Sequence, residues 1–149
     1  MSASSFRSRA AALFGAAALL GIVSAGRAHA DAAADAAVAA STPEQRASLQ
    51  TDYMREKLGL SSDVAAKVAA INLDVARKMD PVIKGGGNAF SRFAQGEAIQ
   101  KERDTALQKL LTPQQFQAFE ASKGDMKQTV EAALEAKAAS VGGASPTAK

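Results

Sequence analysis

Apolar residues recur every three or four positions through the middle of the chain, and their steps mark out helices. The cleanest run is Val64, Val68, Ile71, Val75, Met79 and Val82, which stays on one stripe at ~100° per residue. Ser61 stands before it as an N-cap, and Asp63 lies near the positive end of the helix dipole. Asp63–Lys67 and Asp74–Lys78 add i,i+4 pairs on the opposite side. Pro81 removes the bond to the Arg77 carbonyl; with Val82 still in phase, the pattern predicts a kink rather than an end. Upstream, Thr42-Pro43-Glu44-Gln45 supplies a cap, a proline at the first helical position and a reciprocal Gln. A helix from Pro43 to about Leu58 follows, with Leu49, Tyr53 and Leu60 on one side and Gly59 as its break. Downstream, Gly85-Gly86-Gly87 is a turn, and Asn88 caps a helix over Ala89–Leu110. That helix changes face. Phe90, Phe93, Ala94 and Ala98 lie on one side; Ile99, Ala106, Leu107, Leu110 and Leu111 lie about half a turn away, with the changeover at Gly96.

The best-specified helix start is Leu111-Thr112-Pro113-Gln114-Gln115-Phe116. Thr112 caps, Pro113 occupies the first helical position, and Gln115 can close a capping box. Leu111 and Phe116 stand where a hydrophobic staple needs them. This helix is expected to end near Lys123-Gly124. Met126, Val130, Ala133 and Leu134 suggest a weaker amphipathic segment after it, and Val141 to Lys149 a disordered tail.

The beginning of the chain has a different pattern. Arg7 and Arg9 precede an apolar run from Ala10 to Val23, and Ala28-His29-Ala30 places small residues before Asp31. This reads as a signal peptide over residues 1–30, cleaved near Ala30, with a periplasmic or secreted product. The run is too short for a span of about 20 apolar residues. Residues 31–41 are almost pure Ala and offer no stripe to dock, so a mobile arm is expected there. Residues 42–124 form the helical domain, and 125–149 the weak helix and tail.

Charge and chemistry narrow the function. The formal net charge is +3, from 18 basic and 15 acidic residues; Arg7, Arg9 and Arg27 precede Asp31 and no acid does. The remainder is balanced, without the basic excess that a nucleic-acid partner requires. Cysteine is absent, and His29 is the only histidine, which leaves nucleophilic catalysis and transition-metal ligation without their usual groups. Glu131 and Glu135 read as a solvated face. The glycine triplet lacks the GK[ST] of a phosphate loop. No enzyme and no cofactor is expected. Abundant Ala, Gln, Lys and Glu with few aromatics give an all-α chain, and a core this small favours oligomerisation.

The residues resemble a known family. Leu111-Thr112-Pro113-Gln114-Gln115 is similar to the L-T-x-x-Q motif of Spy/CpxP-like periplasmic proteins, and Leu58-Gly59-Leu60-Ser61-Ser62-Asp63-Val64 resembles its first, degenerate copy. The resemblance covers roughly Tyr53 to Lys123. It implies an antiparallel helical hairpin or four-helix arrangement, dimeric and cradle-like. The implied function is an ATP-independent chaperone for unfolded envelope proteins, or else a regulatory or structural partner of an envelope stress sensor or assembly. Two departures stand out: Ser61 and Val64 leave the first capping box incomplete, and the balanced charge supplies no positive concave face. Phe90, Phe93 and neighbouring Met79 are the candidate client or dimer contacts; for the two rings, burial under the glycine turn or in a dimer seam is favoured over a client surface. Phe116 and Phe119 are assigned to the core.

Overall fold

The computed structural model describes residues 23–142, which fold into five helices and no strand. The protein is all-α. The helices are α1 (Val23–Ala40), α2 (Pro43–Leu58), α3 (Ser62–Lys84), α4 (Ala89–Leu110) and α5 (Pro113–Gly142). Short connections fold α2 back on α3 and α3 back on α4, while α5 returns to pack against α2 and α1.

Local chemistry sets the helix ends. Thr42 closes a full capping box with Gln45, the two bonds measuring 3.1 and 3.2 Å. Gly59 adopts φ 59°, and the Leu60 N–H donates to the Arg55 carbonyl at 3.1 Å. This left-handed cap needs a residue without a Cβ penalty. Ser61 caps α3 through a long 3.5 Å bond from the Val64 N–H, and Asn88 caps α4 through a 2.8 Å bond from Phe90. The α3 helix runs through Pro81 to Lys84. Gly85 then turns against the Pro81 carbonyl so closely that any Cβ there would collide with it.

The core gathers Met54, Leu58 and Leu60 with Val68, Leu107 and Leu111, then Phe119, Met126, Val130 and Leu134. The buried face of α3 is centred on Ala65, Val68, Asn72, Val75 and Ala76, so Val64 and Ile71 lie at its edge rather than its middle. Of the expected surface pairs, Asp74–Lys78 forms at 2.8 Å, and Lys78 also reaches Glu102 of α4 at 2.6 Å. Those two carboxylates hold the Lys78 pKa up, the Asp74 bond foremost.

Two expectations are corrected. The stretch 31–41, expected as a mobile arm, instead runs along α5 as the second half of α1 to Ala40, with Ala37 and Ser41 buried and Val38 half-buried. Alanine lets two helices approach closely without a stripe of larger residues. The end of α1 is then fixed by Arg46, whose Nη1 donates to the Ser41 carbonyl at 2.8 Å and to its hydroxyl at 3.0 Å. Nor does a helix end at Gly124. The α5 helix is continuous from Pro113 to Gly142, because Phe119, Ser122, Met126, Val130 and Leu134 keep one unbroken buried stripe. The supposed weak segment is part of the core. Of the expected signal peptide over residues 1–30, residues 1–22 lie outside the described residues and 23–30 begin α1; of the expected tail from Val141 to Lys149, all beyond Gly142 lies outside them.

Candidate functional site

The Leu111–Gln115 segment and the end of α2 meet. The Thr112 hydroxyl accepts from the Gln115 N–H at 3.2 Å, and the Gln115 Oε1 accepts from the Thr112 N–H at 3.2 Å. The Gln115 amide then donates through Nε2 to the Leu58 carbonyl at 3.3 Å. One side chain therefore caps α5 and ties it to the last turn of α2, beside the Leu58–Ser61 segment. Leu60 and Leu111 are buried, and Phe116 packs on the same core cluster. Thr112, Pro113 and Ser61 are exposed or partly exposed at the helix starts they define. These residues thus form a helix junction, with the Gln115 hydrogen bonds made inside it.

The exposed aromatic residues lie elsewhere. Phe90 and Phe93 are 78% and 64% exposed. The first half of α4 buries nothing: its buried residues are Arg103 and Leu107, both in the second half. The face change at Gly96 is the cause. The second half turns its apolar side to α3 and the core, which leaves the side carrying the two rings in solvent. Gly96 lies opposite the tip of Met79, and a Cβ there would stand 3.7 Å from Cε. Met79, Val82 and Phe93 line one surface groove of about 590 Å³, flanked by Arg92, Glu97, Lys101 and Asp104. Met79 and Phe93 are therefore brought together on α3 and α4, with Phe90 one helical turn before Phe93. The turn of Gly85–Gly87 does not cover either ring.

Sequence reasoning passed over the buried polar residues. Arg46 is 4% exposed and joins three elements, donating to Val38 and Ser41 and pairing with Asp80 at 2.6 Å. The Arg46 bond, followed by that of Lys84, holds the Asp80 carboxyl below its usual range. Asn72 is fully buried and donates to the Thr51 hydroxyl at 3.0 Å. Arg103 is buried without a carboxylate partner, and desolvation brings its pKa down to about 10. Its signal was its phase: Arg103 lies four after Ile99 and four before Leu107, on the stripe that faces inward. Arg46 likewise falls in step with Gln50, Met54 and Leu58.

Among the described residues, no three His, Cys, Asp or Glu side chains gather as a metal site would require, and no helix is long and apolar enough to cross a membrane. What the geometry defines is a small helical bundle presenting an aromatic groove between two of its helices. The chain belongs to the family described as Domain of unknown function (DUF4890), whose model matches residues 30–119. The match ends at Phe119, so Met126, Val130 and Leu134 complete the core beyond it. No curated protein matches the chain, and no solved structure does.

Proposed function

We propose that this protein is an exported, periplasmic binding protein of the Spy/CpxP-like kind that holds unfolded envelope proteins without ATP. The supporting observation is the exposure of Phe90 and Phe93 on a helix half that the bundle leaves uncovered, with Phe93 beside Met79 in the groove. Burying a phenylalanine side chain contributes about 1.5–3 kcal/mol, so two partly exposed rings offer a client a few kcal/mol before ordering costs. That is the scale of weak, reversible capture. Charge balance from Asp31 onward favours apolar contact over a positive face as the means of holding. Cleavage after Ala30 would leave Asp31–Ala40 of α1 in place, with Ala37, Val38 and Ser41 still available to α5 and Arg46. A second copy of the chain, arranged as a cradle-like homodimer, would bring two such grooves together.

Purified protein should slow aggregation of a chemically denatured client at near-stoichiometric ratio, with no nucleotide present. Phe90→Ala combined with Phe93→Ala should weaken the protection. Equal client aggregation with and without the protein would reject the proposal. Capture of a single folded partner by crosslinking in cells, in place of many clients, would also reject it in favour of a docking role on an envelope sensor.

A further inference from the structure

A second cavity shares Met79 and Gln100 with the groove but has different chemistry. It encloses about 390 Å³, and its apolar wall is built from Val38, Val75, Ile83, Met126, Val130 and Leu134. That volume falls in the ~300–1,000 Å³ range of small-molecule sites. Four cations reach it, Arg46, Arg103, Lys123 and Lys127, against one carboxylate, Glu131. Three of the four are already paired. Arg46 holds Asp80 at 2.6 Å, Lys123 holds Asp104 at 2.7 Å and Glu120 at 2.6 Å, and Lys127 stands 3.7 Å from Glu131.

Arg103 is the exception. It is 4% exposed and makes no ion pair among the described residues. Its Nε has no partner. Its Nη atoms find only Gln100 Oε1 at 3.5 Å and the sulfurs of Met54 and Met126 at 3.6 and 3.8 Å. Below it lies the Phe119 ring, 5.2 Å from the guanidinium carbon. A buried charge without an anion is costly, and folding does not demand one here, since a methionine would continue the stripe from Ile99 to Leu107. The guanidinium fork matches a carboxylate with two parallel N–H···O bonds.

We propose that this cavity binds a small amphipathic carboxylate, its head on the Arg103 fork and its apolar body along Val75, Val130 and Leu134. The site adjoins the aromatic groove, sharing Met79 and Gln100 with it, but Arg103 and the apolar wall lie outside that groove. Its ligand enters between an anion-seeking residue and a greasy wall, so neither a neutral chain nor a cationic one satisfies both ends.

The test is calorimetric titration of the full-length chain with sodium decanoate, decanol and decyltrimethylammonium. Decanoate should bind at one per chain and raise the thermal midpoint, with decanol at least tenfold weaker and the cation undetected. Arg103→Met should cost tenfold or more in decanoate affinity. Lys127→Glu, on the exposed rim, should weaken binding several-fold with an unchanged circular dichroism spectrum. Phe90→Ala with Phe93→Ala should leave decanoate affinity as it was. The proposal is overturned if decanoate fails to bind, if decanol binds equally well, or if Arg103→Met and Lys127→Glu both retain full affinity.

Discussion

Replacing Arg103 by Met should make the empty protein more stable. The guanidinium is buried, and desolvation brings its pKa down to about 10, with the nearby Asp104 charge opposing the fall only in part. At about 1.4 kcal/mol per tenfold change in proton affinity, that drop represents roughly 3 kcal/mol of unfavourable burial. The Phe119 ring returns about 1–2 kcal/mol through the cation–π contact. Methionine keeps the apolar stem, sheds the charge, and joins two other methionine sulfurs. The net gain is therefore about 1–2 kcal/mol, in keeping with buried ions that are replaced by apolar groups. An arginine keeps its proton across the working pH range, so the burial cost is present throughout and the gap to the Met variant should be the same at about pH 6 and about pH 9. Urea unfolding of both proteins reads this directly. A variant less stable than the wild type by more than about 1 kcal/mol would refute the reasoning, because the contacts of Arg103 would then outweigh its desolvation.

Three further outcomes follow from the same geometry. Gln115→Glu keeps an oxygen for the Thr112 N–H and suits the helix dipole, but cannot donate to Leu58; it should cost about 0.5–1.5 kcal/mol in urea unfolding, while Gln115→Ala loses the cap as well and costs about 1–2. Gly124→Ala places a methyl in open space inside α5 and should stabilise by about 0.5–1 kcal/mol, whereas a true helix end there would make it neutral or harmful. Truncation after Gly124 removes Met126, Val130 and Leu134 from the core, a loss of roughly 5–9 kcal/mol at ~1.5–3 each, and the shortened chain should show no cooperative thermal transition.

The helices were legible wherever their ends carried chemistry. Thr42 with Gln45, Thr112 with Gln115, and Gly59 each announce a boundary through bonds confined to four or five residues, and such local signals survive in a bare sequence. The boundary assigned to Gly124 failed because a lone glycine in a helix resembles a cap until the stripe on either side is compared; Phe119, Ser122, Met126 and Val130 cross it without a phase change. The Ala-rich stretch misled for the opposite reason. Docking there depends on smallness at Ala37 and on a distant arginine, and neither leaves an apolar periodicity to read. At the candidate site the face change at Gly96 was legible, but burial under the glycine turn or in a dimer seam was the favoured reading for the rings; within the single chain Phe90 and Phe93 are exposed and the turn does not cover them. Arg103 escaped notice because a charged run, Lys101-Glu102-Arg103-Asp104, looks solvated as a whole while one member turns inward.

The central claim is that clients meet the α3–α4 groove at Phe93, and photo-crosslinking tests it most directly. A benzophenone amino acid is introduced at Phe93, and separately at exposed Lys67 of α3, then each protein is illuminated with a denatured client. Covalent adducts with the client at position 93, and few or none at 67, are the predicted result. Equal labelling at both positions, or adducts at 67 alone, would contradict the account.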